Sequence, residues 1–116
     1  MLTCSLIVPV YNRPNEVDEL LQSIQEQTMI PYEIVIVEDG SEISCEQVVK
    51  HYASHLPIVY YTKSNGGPGA ARNYGAAHAT GDYLIILDSD VLLPPHYIQT
   101  LTEVLETESI DAFGGP

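Results

Sequence analysis

The stretch Tyr83–Asp90, YLIILDSD, decides how this chain is read. Five apolar residues, Tyr83 to Leu87, follow the turn signal Thr80-Gly81 and run straight into two carboxylates one residue apart. A short continuous apolar run with such a boundary reads as a strand buried on both faces. Side chains alternate along a strand, so residues i and i+2 share a face. With the backbone extended to Asp90, Asp88 and Asp90 project to one side at the strand's carboxyl end, close enough to share a cation. Paired carboxylates repel each other, and a divalent metal, a bound proton or a basic neighbour relieves that cost. The plain alternative is a solvated acidic turn.

Outward from this strand, the pattern repeats. Cys4–Val10 (CSLIVPV), Glu33–Val37 (EIVIV) and Ile58–Thr62 (IVYYT) read as three further strands. Between the first two, Val17, Leu20, Leu21 and Ile24 have the spacing of one helical face. Asn12 or Asn15 is placed to cap that helix, with Pro14 in its first turn, and it runs to about Thr28. Ser44 with Gln47 resembles a capping box for a second helix to about His55. The turn-rich loop Lys63–Gly69 leads into a small-residue helix over Ala70–Ala79. Pro94 and Pro95 mark a fourth helix, striped by Ile98, Leu101 and Leu105. The order β-α-β-α-β-α-β-α predicts an α/β fold, a mainly parallel sheet with helices on both faces. Ile110–Phe113 reads as the opening of another strand. The expectation is therefore that residues 1–116 are the N-terminal part of a larger domain.

Composition narrows the function. With 116 residues, 45% hydrophobic and 17% charged, the chain reads as one globular domain. A net charge of −12 argues against nucleic acid and anionic membranes as partners. No apolar run approaches the roughly 18 residues of a membrane span. Cys4 and Cys45 do not make a disulfide framework and read as free thiols of a cytoplasmic protein. Of the four basic residues, Arg13, Lys63 and Arg72 fall at the carboxyl ends of the strands, where open parallel sheets bind ligands. The acidic pairs Glu38-Asp39 and Asp88/Asp90 fall there too. Scarce positive charge gathered beside carboxylates points to an anion with a metal between, as in a diphosphate bridged by Mg²⁺ or Mn²⁺. Neither a dinucleotide fingerprint nor a P-loop is present. Gly66, Gly67 and Gly69 let the backbone approach a ligand, and the helix behind them favours an anion.

Four segments then fall into a known order. VPVYN at 8–12, EDGS at 38–41, NGGPGAARNYG at 65–75 and LDSDVLLPP at 87–95 resemble the successive motifs of family 2 glycosyltransferases. The resemblance implies a Rossmann-like GT-A fold and the nucleotide-sugar-binding half of such an enzyme. Carried over by position, it places Pro9 and Tyr11 at the base pocket and Asp39 on the uracil. Glu38 stands where the family often has Asp, and the resemblance counts it among the nucleotide-binding residues. Arg72 lies near the nucleotide, and Asp88 and Asp90 match the DxD motif on ribose and metal, with Asp90 the direct metal ligand. Val91 departs from members that carry a third Asp there. The resemblance further implies an inverting, metal-dependent transfer from a nucleotide-diphospho-sugar, UDP-linked by preference, to a carbohydrate or lipid-linked acceptor hydroxyl. The general base is expected beyond Pro116, so this chain alone is expected to bind nucleotide without turnover. The larger protein is expected in the cytoplasm, peripheral at the inner membrane face, and the uncovered surface of this part is expected to favour self-association.

Two other readings compete. DSDV also fits the Asp-x-Asp-x-[Thr/Val] motif of haloacid-dehalogenase-like phosphatases, with Asp88 as nucleophile. That motif normally opens its chain, and no Lys follows Asp90 here. The other is a non-catalytic nucleotide-binding module.

Overall fold

The computed structural model describes residues 2–108. Strands and helices alternate as β1 (Cys4–Val10), α1 (Pro14–Gln25), β2 (Glu33–Asp39), α2 (Glu46–Tyr52), β3 (Ile58–Lys63), α3 (Pro68–His78), β4 (Tyr83–Ile86) and α4 (Tyr97–Glu108). The strand expected at Ile110–Phe113 lies outside the described residues. The four strands form one parallel sheet in the order β3-β2-β1-β4. β1 therefore sits inside, paired with β2 from Ser5–Glu33 to Val10–Glu38 and with β4 from Cys4–Tyr83 to Ile7–Ile86.

Strand alternation sorts the core into two layers. Leu6, Val8 and Val10 of β1 and Ile34 and Ile36 of β2 face α1, α2 and α4, which contribute Leu20, Leu21, Val49, Ile98 and Leu105 among others. Ile7, Val35 and Val37 face the opposite way, against Ala71 of α3. Both faces are thus covered by helices, which is why β1 and β2 are apolar without interruption. The helix faces follow the 3.6-residue spacing: Val17, Leu20, Leu21 and Ile24 are all fully buried.

β4 departs from the doubly buried strand that its apolar run predicts. It is only four residues long and lies at an edge of the described sheet, and Leu84 is 36% exposed. The reason is coverage. α3 is the helix on Leu84's side, and it packs on β1 and β2. Helix starts also differ in detail. Pro14 occupies the first turn of α1 as expected, but Arg13 stands at the cap position without a side-chain cap bond. α2 starts behind Cys45, and Ser44 Oγ accepts only the Glu46 N–H at 3.0 Å.

Gly75 sets how closely α3 lies on the sheet. A Cβ there would stand 2.6 Å from Ile7 Cγ2 and 3.2 Å from Val37 Cγ2. Gly75→Ala is expected to lift α3 and destabilise the fold by about 1–3 kcal/mol, as overpacking does. A urea titration checks this, with a lower midpoint and an unchanged slope as the expected result.

Candidate functional site

The sheet's winding locates the site. β1, β2 and β3 step in one direction, and the chain then crosses back through α3 to place β4 on the other side of β1. At such a reversal the loops leaving the two neighbouring strands diverge and open a crevice beyond their carboxyl ends. A cleft of about 610 Å³ occupies this position. Its walls are Pro9 and Val10 at the end of β1, Tyr11 and Arg13 after it, Asp39 at the end of β2, the stretch from Asn65 into α3, and Asp88–Asp90 after β4. Pro9, Tyr11, Asp39, Arg72, Asp88 and Asp90 all line it, as does Asn65, to which the sequence reading gave no role.

Glu38 does not line the cleft. It is 3% exposed, and its Oε1 accepts hydrogen bonds from the Cys45 N–H and the Tyr60 hydroxyl, each at 2.8 Å. Ser41 Oγ donates to its other oxygen. Burial first, and then the adjacent Glu38 carboxylate, push the Tyr60 hydroxyl and Cys45 thiol pKa values up, so both stay protonated donors or neutral groups. Glu38 folds the segment between β2 and α2 rather than facing the cleft.

Asn12 ties the first loop to that same segment. It adopts φ 53°, a region Asn enters more readily than most residues. Its Oδ1 accepts the N–H groups of Glu42 (2.8 Å) and Ile43 (3.0 Å), and its own N–H donates to Ser41 Oγ at 2.8 Å. Asn12 therefore braces two loops instead of capping α1. Tyr11, half exposed beside it, is held on the cleft rim.

Asp39 organises the third wall. Its Oδ1 accepts from Lys63 Nζ and the Gly66 N–H, both at 3.0 Å, and its Oδ2 accepts from the Gly67 N–H at 2.9 Å. Asn65 Nδ2 donates to its backbone oxygen at 3.0 Å. Gly40 makes room for this approach. It has φ 69°, and a Cβ there would meet the Asn65 backbone nitrogen at 2.6 Å. Burial alone would raise the Asp39 pKa. The Gly66 amide, Lys63 and the Gly67 amide outweigh it and hold the carboxyl below 3.8. Lys63 is thereby committed to Asp39. Arg13 pairs only loosely with Glu16, at 3.5 Å and exposed. No carboxylate pairs with Arg72 among the described residues. Arg72 projects from the first turns of α3 into the cleft, a cation available for an anionic ligand.

Asp88 and Asp90 reach the cleft by a different geometry from the one expected. The Leu87 N–H still donates to Ile7 O at 2.9 Å, but the chain then turns, with the Val91 N–H against Asp88 O at 3.3 Å. The backbone is not extended to Asp90, so strand alternation does not relate the two carboxylates. The turn buries Ser89 between them and leaves both exposed on the cleft wall.

A parallel α/β sheet whose winding reverses at a cleft of this kind defines a Rossmann-like unit, here of the GT-A type. The chain belongs to glycosyl transferase family 2, whose family model matches residues 5–116. An uncharacterized glycosyltransferase of Bacillus subtilis, YwdF, is 39% identical over 104 residues, which is 89% of this chain and 38% of that protein. Glycosyltransferase GlyA of Streptococcus pneumoniae is 36% identical over 112 residues, or 95% of this chain and 16% of that protein. Among solved structures, S. aureus TarS 1-349 in complex with UDP-GlcNAc superimposes with a TM-score of 0.85 at 29% identity, covering 93% of this chain and 32% of that one. The mannosyltransferase PcManGT from Pyrobaculum calidifontis, in complex with GDP-Man and Mn²⁺, gives 0.72 at 31% identity, covering 80% and 29%. The chain thus spans well under half the length of these relatives.

The Asp39 carboxylate makes a testable contribution to stability. Its folded pKa lies below the unfolded value, so the native state binds fewer protons in that window. Its stabilisation is full above pH 3.8 and is lost as the pH falls through the folded value. Asp39→Asn is expected to cost about 1–3 kcal/mol at neutral pH, because charge-assisted bonds to two amides and Lys63 are weakened. In urea titrations across pH 7 to 2, the gap between the two proteins is expected to close on the acid side.

Proposed function

We propose that the cleft binds a nucleotide-diphospho-sugar, and that the enzyme to which this chain belongs transfers the sugar to an acceptor hydroxyl with inversion. The observation that carries this reading is the convergence in one cleft of Tyr11, Asp39, Arg72 and the Asp88–Asp90 turn, brought from four separate segments of the chain by the reversal beside β1. Likeness to TarS bound to UDP-GlcNAc supports a UDP-linked donor, and the family membership favours glycosyl transfer over the phosphatase reading of Asp88.

The residues divide the donor between them. Pro9 and Tyr11 flank the base. The Asp39 carboxylate is an acceptor without a donor, and Lys63 and the two glycine amides keep it ionised. It therefore selects a base edge that offers N–H, as uracil does. Arg72 faces the diphosphate. Asp88 and Asp90 are exposed hard-oxygen ligands, and among the described residues no third His, Cys, Asp or Glu groups with them. That donor set fits Mn²⁺ or Mg²⁺ completed by phosphate oxygens rather than an all-protein cage. When bound, such a cation neutralises charge developing on the leaving nucleoside diphosphate. Arg72 adds fixed positive charge to the same end. The acceptor hydroxyl's proton goes to a carboxylate that we place beyond Pro116. The two free, buried thiols suit a reducing compartment, and we place the reaction in the cytoplasm. No helix among the described residues is long and apolar enough to cross a membrane.

Calorimetric titration with UDP, with and without Mn²⁺, tests this reading. Binding is expected to tighten with Mn²⁺. Asp90→Ala is expected to abolish that gain, and Arg72→Ala to weaken binding by about 1.5–3 kcal/mol, the range for a hydrogen bond to a charged group. A folded protein that ignores UDP in both conditions would sink the assignment.

A further inference from the structure

The acidic turn rests on a weak support. β4 is four residues long, is bonded to β1 alone among the described strands, and ends before Asp88. Residues 91–96 beyond the turn have no regular structure. Yet this segment is anchored, and the anchor is a side chain of another element. Gln27, just past the end of α1, is 7% exposed. Its Nε2 donates to Pro94 O at 2.6 Å and Ser23 O at 3.2 Å, and reaches Leu93 O at 3.5 Å. Its Oε1 accepts the Ile98 N–H at 3.0 Å, one of the otherwise unpaired amides of the first turn of α4. Ser23 Oγ takes the Leu93 N–H at 3.2 Å, and the Thr28 N–H donates to Pro95 O at 2.9 Å.

We propose that Gln27 is a positioning residue for the acidic turn, holding Asp88 and Asp90 at the cleft by clamping Leu93–Ile98 to the end of α1. The chemistry selects a primary amide at this point. Three carbonyl oxygens need a donor on one side and an amide N–H needs an acceptor on the other. Methionine supplies neither, and glutamate would set an oxygen against three oxygens. Partners bonded directly to a metal ligand typically cost about 10–100-fold in metal affinity when lost; Gln27 acts one step further out, through the backbone that joins Asp90 to Leu93. The nucleoside end of the cleft depends on other braces, Asn12–Ser41 and Asp39–Gly66, so it is insulated from Gln27. The inference rests on the functional reading above.

The test compares UDP affinity in EDTA and in Mn²⁺ for the unmodified protein, Gln27→Met and the milder Ser23→Ala. Thermal melts and amide NMR spectra establish folding. Gln27→Met is expected to keep the metal-free UDP affinity and to lose about 10-fold of the Mn²⁺-dependent gain, the lower end of that range. Ser23→Ala is expected to lose less, in the same direction. Amide shifts are expected to change at Ser89–Val91 and not at Asp39–Ser41. Equal loss with and without Mn²⁺ would show general loosening and overturn the proposal. An undiminished Mn²⁺ gain in a folded variant would overturn it as well, and if Gln27→Met fails to fold, Ser23→Ala decides by the same criterion. An unmodified protein that binds UDP with no Mn²⁺ gain would overturn the metal reading and this role together, and would be recognised by the absence of the gain before any substitution.

Discussion

The structure depends on one constraint: β1 must be hydrogen-bonded on both sides, to β2 and to β4. Because the winding is parallel, satisfying both sides forces the chain to reverse direction across the sheet. The reversal opens the crevice, and it also brings the end of the first strand beside the end of the fourth. The residues with useful chemistry sit at strand ends, in the loops beyond them or in the first turns of α3, in four segments well separated in the chain. Burial of an apolar strand thus opens a cleft at its carboxyl end, where Pro9 and Val10 of that strand stand beside the charged groups.

Three segments of the cleft's walls are each braced by a buried or half-buried polar group that faces away from it or sits at its base. Glu38 collects Cys45, Tyr60 and Ser41; Asn12 joins Ser41 and the 42–43 amides; Asp39 gathers Lys63 and two glycine amides. Each is a charged or amide acceptor taking two or more donors at once, backbone amides among them. That is how irregular backbone is held in place without a sheet or helix ladder.

Elements and their order were legible because apolar runs and 3.6-residue spacing act locally. The cleft's composition was legible for the same reason, since every strand's carboxyl end follows from its run. What escaped was nonlocal. YLIIL reads as a doubly buried strand because nothing in it records that β4 lies at an edge of the described sheet, beyond the cover of α3. The turn at Ser89–Asp90 is closed by a single Val91–Asp88 contact that residue types alone do not announce. Asn12 looked like a cap because Asn suits both a cap and a positive φ. Glu38 looked like a ligand because a carboxylate beside Asp39 carries no mark of facing inward. Gln27 gave no signal at all, since its partners other than Ser23 lie 66 to 71 residues away.

The Thr3–Asp82 contact carries a consequence for how the chain is made. The Thr3 N–H and hydroxyl both donate to Asp82 Oδ2, across 79 residues. β1 therefore waits for β4, the last of the four described strands in chain order, before its second edge is covered. Closing so long a loop costs chain entropy that is recovered only when β4 docks. Until then the interior strand of the finished sheet has an open, apolar edge, the feature that invites pairing with a neighbouring nascent chain. The geometry that creates the cleft thus leaves β1 with an unpaired edge until β4 has been made.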